Sequence, residues 1–438
     1  MLKLNVEQLL PRIGRCDAFR TVGKLRSAKN MLSASLPAAI GDLCEIGLDG
    51  GQRQLAEVIG FDRGIAQILP FESIDGLHAD AYVVGLDCKR SIPTGRGLLG
   101  RVLDGIGRPV DGLGKLHVER HTEPLLTPPS ALIRRKISEP FSTGQRAIDS
   151  MLTLGHGQRV GLFAGSGVGK STLLGEIAKG ASSDVNVIAL IGERGREVRP
   201  FLDDCLGEEG RRRSVTIVST ADQTPLMRVR AAETAVAIAA DFREQGANVL
   251  FLLDSTTRIA FAQREIGLQL GEPPSSRGYT PSVFQVLARL LEQLGTSDKG
   301  SITSIVTVLV DGDDMDEPIA DAVRSIVDGH VVLDRHLAEK AHFPAINVGR
   351  SISRVFRDVT TPEHQEAANK LRALMATYDE VADLIRVGAY EKGSSTQIDT
   401  AVRLMPVVNT LLQQRPDEHT RYEDTEKVMT QIAAAWPF

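Results

Sequence analysis

The eight residues Ala164-Gly-Ser-Gly-Val-Gly-Lys-Ser171 place three glycines, a lysine and a hydroxyl at the spacing of a loop that wraps phosphate. Glycines let successive backbone N–H groups converge on one anion, and a helix opening at the loop adds the positive end of its dipole. Gly165, Ser166, Gly167, Val168 and Gly169 would form the cradle. Lys170 would reach the β- and γ-phosphates, Ser171 would ligate Mg²⁺, and Thr172 leads into the helix. The usual pattern begins with glycine, and Ala164 stands there instead. Binding of a nucleoside triphosphate follows from this motif; hydrolysis needs three further groups.

The first is a carboxylate for the metal. Asn248-Val-Leu-Phe-Leu-Leu-Asp254 reads as a buried strand ending in one, so Asp254 is the expected second Mg²⁺ partner. The second is a group that orients and deprotonates water. Glu193, in Ile191-Gly-Glu-Arg-Gly-Arg-Glu197, sits where ligands bind at the carboxyl ends of parallel strands. Spacing alone fits equally well a surface ion-pair cluster of Glu193, Arg194, Arg196 and Glu197. The third is a cation that offsets charge in the transition state. Asn347-Val-Gly-Arg-Ser-Ile-Ser-Arg354 offers Arg350 and Arg354, and composition does not choose between them. Asp311-Gly-Asp-Asp-Met-Asp316 fails the EF-hand spacing at Met315 and Asp316, and reads as an acidic turn near the site.

Strands and helices must hold these groups. Val160–Phe163, Val187–Ile191, Val215–Val218, Val249–Leu253 and Ile305–Val310 are short, continuous apolar runs, with helix-like stretches at Ser171–Ala181 and Met227–Gln245 between them. That alternation predicts a mostly parallel sheet with flanking helices, an α/β P-loop NTPase core. From about Gly14 to Asp87, short apolar segments broken by Gly, Pro and Asp predict a small β-barrel or sandwich. Residues 91–150, rich in Gly and Pro, predict an irregular connector wrapped on the core. After Thr361 the strands stop. Pro362 suits a first helical turn, Ala367, Leu371, Leu374, Met375, Tyr378, Val381, Leu384 and Ile385 keep helical spacing, and a further helix is expected to break at Pro406. The expected organisation is residues 1–90 as the β-barrel unit, 91–360 as the ATPase unit with its connector, and 361–438 as a helical unit.

Bulk properties narrow the classes. A chain of 438 residues calls for two or three units, and a net charge of −5 leaves no general basic footprint for nucleic acid. The four cysteines (Cys16, Cys44, Cys88, Cys205) lie far apart, with no C-x-x-C pair, and are expected to be reduced thiols. Apolar runs are strand-sized rather than membrane-spanning, and the opening residues lack the pattern of a secretory signal, so a cytosolic protein is expected.

Long collinear segments make the chain similar to the type III secretion and flagellar export ATPases, relatives of the catalytic and non-catalytic subunits of rotary ATP synthases. They include LLGRVLDGIGRPVDG (98–112), STGQRAIDSMLTLGHGQRVGLFAGSGVGKSTLLGEIAKG (142–180), IGERGREVRPFLDD (191–204), FLLDSTTRIAFAQREIGLQLGEPPSSRGYTPSVF (251–284) and INVGRSISRV (346–355). The resemblance implies ATP with Mg²⁺, Glu193 as general base with Arg194 beside it, and Arg354 as a finger reaching the adjoining subunit's nucleotide. It also implies Phe343 stacking on adenine, and a pore-facing loop with Arg277 and Tyr279 as its prominent side chains. Further implications are a homohexamer of identical catalytic subunits, and contacts of the helical unit with a stalk or chaperone–cargo complexes. A regulator would bind at the short segment ahead of the β unit, and association with the inner-membrane export gate would be peripheral, in a flagellar or injectisome system. A rotary synthase catalytic subunit fits these motifs less closely. An RNA-translocating hexamer lacks a basic region to support it, and a non-catalytic regulatory subunit would be suggested by a missing base, which Glu193 supplies.

Overall fold

The computed structural model describes residues 20–28, 31–78, 80–124, 127–310 and 314–438; the N-terminal stretch with Cys16, and residues 311–313 of the acidic turn, lie outside them. Six antiparallel strands, β1 (Val22–Ala28), β2 (Leu32–Ala34), β3 (Asp42–Gly47), β4 (Arg53–Asp62), β5 (Ile65–Pro70) and β6 (Tyr82–Lys89), close into a barrel in the order β1-β2-β5-β4-β3-β6. Their side chains alternate in and out, so Cys44 and Ile46, Ala56 and Val58, and Ala66 and Ile68 fill the interior. Closure leaves no free strand edge.

Behind the barrel lies an eight-strand path with order β14-β13-β8-β12-β11-β9-β10-β7. Its strands are β7 (Val102–Leu103), β8 (Arg159–Ala164), β9 (Val185–Glu193), β10 (Ser214–Thr220), β11 (Asn248–Asp254), β12 (Ser301–Leu309), β13 (Gly329–Val332) and β14 (Ile352–Ser353). All pairings along the path are parallel except β13 with β14. The connector thus contributes β7 to the core sheet, beyond the wrapping role expected of it.

The apolar runs are continuous because both faces of the sheet are covered. On β11, Val249, Phe251 and Leu253 face the layer built on helix Pro225–Glu244, while Leu250 and Leu252 join the layer that holds helix Lys170–Gly180 and the C-terminal helices. Between barrel and core, Glu57 and Arg90 meet Arg230 and Glu233 of helix Pro225–Glu244, with Arg230 at 2.6 Å from Glu57 and 2.7 Å from Glu233. Breaking one member of such a cluster would leave a buried charge uncompensated.

Three helices close the chain, Pro362–Arg386, Thr396–Leu412 and Tyr422–Ala434. Thr361 caps the first, accepting from His364 N at 3.1 Å, as its position before Pro362 predicts. The residues expected at helical spacing all lie in the first helix, with Leu384 near its end 49% exposed. One expectation fails here: the second helix runs through Pro406, with Ala401, Leu404, Val408, Leu411 and Leu412 buried along it, and that packing outweighs one missing backbone hydrogen bond.

Candidate active site

β8 ends at Ala164, and the helix starts at Lys170, so the motif spans a strand-to-helix turn at the carboxyl edge of the sheet. Gly167 and Gly169 hold φ of +80° and +87°, a region closed to most side chains, and this lets the loop fold its amides inward. Ala164 is tolerated at the entry because it is still a strand residue, its carbonyl accepting from Val310 N at 3.1 Å. Ser166, Ser171 and Thr172 are exposed at the mouth, while Gly165 and Val168 are buried beneath it.

The groups expected to do chemistry converge here from three parallel strands. Lys170 hydrogen-bonds Asp254 and lies 3.5 Å from Glu193. Asp254, the last residue of β11, is 3% exposed, and Thr307 of β12 donates to its Oδ1 at 2.8 Å. Glu193 ends β9, after Gly192, whose φ is +71° and where a Cβ would stand 2.6 Å from Arg258 Cβ. Burial lifts the Glu193 carboxyl above the ordinary glutamate range, and the neighbouring Asp254 lifts it further, against the pull of Lys170. A base poised above a free carboxylate is better matched to taking a proton near neutral pH.

The two readings of the Glu193 segment divide at one peptide bond. Glu193 faces the cradle, whereas Arg194 is 65% exposed and pairs with Glu197 at 2.9 Å on the surface. An exposed pair of this kind is worth only about 0.2–1 kcal/mol. Burial raises the Glu197 carboxyl, but hydrogen bonds from Arg194 and with Glu193 bring it below its ordinary value.

Phe343 leaves the carboxyl end of β13 and reaches the phosphate loop, where a Cβ on Gly169 would touch its ring at 3.6 Å. The ring lines a cavity of about 380 Å³ together with Val168, Gly169, Thr172, Pro344, Gln414, Arg415 and Pro416. A flat apolar face, 43% exposed beside a phosphate cradle, suits a stacked base. The wall from Gln414 to Pro416 comes from the helical unit and is held firmly. Gln414 N donates to Phe343 O at 2.9 Å, its side chain donates to Gly144 O at 2.7 Å, and Asp417 N donates to Glu176 of the loop helix at 2.8 Å.

Arg354 stands elsewhere. β14 runs antiparallel to β13, pairing Ser353 with Gly329, so Arg354 emerges at the amino edge of the sheet. Its N–H donates to Asp328 O at 3.0 Å, and Asp328 in turn binds Arg159 at the start of β8. The six residues of β8 separate that edge from the phosphate loop, roughly 17 Å at 3.3 Å per step. Arg354 is exposed, and so is Arg350, which lies at the other end of β14, toward the carboxyl end of β13 and near Asp334. Arg354 is not brought to the cradle of its own chain.

In the loop resembling a pore segment, Arg277 is displayed at the surface and pairs with Asp314 at 2.9 Å. Tyr279 is not prominent: it is 3% exposed, donates to Glu317 at 2.8 Å and stacks on Phe261.

Three groups escaped the sequence reading. Thr307 lies inside an apolar run and carries no motif signal. Gln414–Pro416 lie far along the chain from the loop they cover. Arg258 follows Asp254 by four residues, packs on Gly192, and keeps its Nε buried without a partner among the described residues; its nearness to Asp254 was the one available clue.

Whether Mg²⁺ fits can be judged from the donors. Ser171 and Asp254 offer oxygen, and no group of three or more His, Cys, Asp or Glu among the described residues could hold a metal unaided. That suits an ion which keeps waters and takes its remaining oxygens from substrate phosphates.

Residues 144–353 match the model of the ATP synthase alpha/beta family nucleotide-binding domain, and residues 360–431 match that of the T3SS EscN ATPase C-terminal domain. The flagellum-specific ATP synthase of Bacillus subtilis is 48% identical over 98% of this chain and 99% of its own. The SPI-2 type 3 secretion system ATPase of Salmonella typhimurium is 48% identical over 92% of each. The assembled ATPase EscN in complex with its central stalk EscO, from the enteropathogenic E. coli type III secretion system, superposes with a TM-score of 0.87 at 44% identity, covering 94% of this chain and 100% of that one. The three-part architecture agrees with these likenesses: the chain belongs to the family of type III secretion and flagellar protein-export ATPases, within the ATP synthase alpha/beta group.

Proposed function

We propose that this chain hydrolyses ATP at the interfaces of a homohexameric ring and so energises type III protein export, flagellar or injectisome. The observation that carries the reading is the separation of Arg354 from its own phosphate loop by the full width of the sheet. A cation on that edge serves a nucleotide only when the nucleotide belongs to the next subunit.

Within each interface the loop amides and Lys170 bind the β- and γ-phosphates, and Phe343 stacks on the base. Ser171 and Asp254 hold Mg²⁺, which when bound neutralises phosphate charge. Glu193 orients a water in line with the γ-phosphorus and accepts its proton as the bond to the bridging oxygen breaks. Arg194 stands beside the base, with a surface pair to Glu197 that is cheap to open. Arg354 of the neighbour offsets the charge that develops on the transferring group.

The barrel supports ring formation. The C-terminal helices meet a central stalk and chaperone–cargo complexes, releasing and unfolding cargo, and the N-terminal segment takes a regulator. The ring works in the cytoplasm, at the periphery of the inner-membrane export gate and without nucleic acid; among the described residues no helix is long and apolar enough to cross a membrane. The test is turnover per chain against protein concentration. A split site predicts a steeper-than-linear rise across the assembly range, and a constant rate per chain down to the isolated subunit would refute it. Stimulation by RNA would favour a translocase instead.

A further inference from the structure

Leu132 is 96% exposed, the highest value among the large hydrophobic residues described, and its neighbour Ile133 is 52% exposed. Such exposure usually marks a loose tip. Here the flanks are fastened. Ile133 N closes a turn onto Ser130 O at 3.0 Å. Arg134 donates to Leu294 O at 2.6 Å and also to Glu292 O, and Arg135 donates to Asp298 O at 3.0 Å. Thr296 donates back to Arg135 O at 2.8 Å, and Lys136 pairs with Asp358 at 2.7 Å. The Arg134 guanidinium is occupied by carbonyls at and just beyond the end of helix Pro281–Glu292, where cations are favoured, and that of Arg135 by a carbonyl of the turn after strand Gly295–Thr296. An apolar tip is therefore held outward on a braced strap.

The strap lies on the edge that carries Arg354. Arg134 binds the Glu292 carbonyl, the Glu292 carboxylate pairs with Arg159 at 2.8 Å, Arg159 pairs with Asp328 at 3.1 Å, and Asp328 O accepts from Arg354 N at 3.0 Å. Ile352, 50% exposed, adds apolar surface beside Arg354. Because the strap's arginines are consumed by carbonyls, the patch offers little to an anionic lipid surface. Its position suits a second copy of this chain.

We propose that Leu132 and Ile133 form a latch that packs against the phosphate-loop face of the neighbouring copy, so that packing at the strap holds Arg354 at the shared nucleotide. This rests on the ring reading and goes beyond it by assigning the residues that dock the edge. The full-length protein is tested in two ways. Leu132→Asp should raise the concentration needed for assembly by about tenfold or more, with the melting temperature and ATP binding of the unassembled chain unchanged. A photo-crosslinker at position 132 should give adducts of twice the chain mass, joined to the partner's phosphate-loop face. Val387→Asp, which charges a residue 74% exposed on the C-terminal helices, should leave assembly as it was. Leu132→Asp assembling at the wild-type concentration, an equal defect in Val387→Asp, or adducts formed only with lipid would each overturn the latch while leaving the ring in place. A wild-type chain that never assembles would remove both.

Discussion

The two edges of the core sheet are built differently. At the carboxyl edge, Lys170 at the start of its helix meets Glu193 and Asp254 at two strand ends, and every one of these side chains is at most 15% exposed. At the amino edge, Arg354 stands in solvent with one long contact to Arg324 O at 3.4 Å. The first edge is a finished pocket whose charges answer one another. The second presents a cation with no anion paired to it among the described residues. On the proposed reading, the difference teaches that a single chain carries both halves of an active centre, and that its fold keeps them apart.

The largest effect expected of any change falls on the exposed edge. Arg354→Ala should lower turnover of the assembled protein by about 10³–10⁵-fold while leaving ATP binding to the isolated chain intact. A loss of binding in the isolated chain would mean that the two edges are not separate. On the finished edge, Glu193→Ala should cost about 10²–10⁴-fold in kcat, with little change in nucleotide affinity by equilibrium titration. Phe343→Ala should act mainly on affinity, raising KM by about tenfold through lost stacking; an effect confined to kcat would show that the ring does not hold the base. The smallest change is in pH dependence. Glu193 must be ionised to accept a proton, and its carboxyl lies above the ordinary range, so kcat should fall as pH drops through a value above the ordinary ~4.3. An acid limb at or below that value would argue against this environment for Glu193.

The finished edge was legible in the sequence because its parts are local: a glycine-spaced loop between strand and helix, and carboxylates at the ends of apolar runs. The helix through Pro406 was not legible, since the packing that carries it past the proline is tertiary. Nor was the wall Gln414–Pro416, which is brought to Phe343 by backbone and side-chain hydrogen bonds across the fold. The choice between Glu193 as a base and as a surface pair could not be made from spacing, because both occur within five residues. Arg350 and Arg354 lie toward opposite ends of the short β14, Arg350 near Asp334 past the carboxyl end of β13 and Arg354 at the amino edge, and it is family resemblance that names Arg354 as the finger.

Mixing two inactive proteins probes the divided centre most directly. Glu193→Ala chains keep a sound finger edge, and Arg354→Ala chains keep a sound cradle. Combined in equal amounts and allowed to co-assemble, they should regain activity at roughly a quarter of the interfaces, where an intact cradle meets an intact finger. Co-assembled rings that stay as inactive as either parent would contradict the division of one site between two copies.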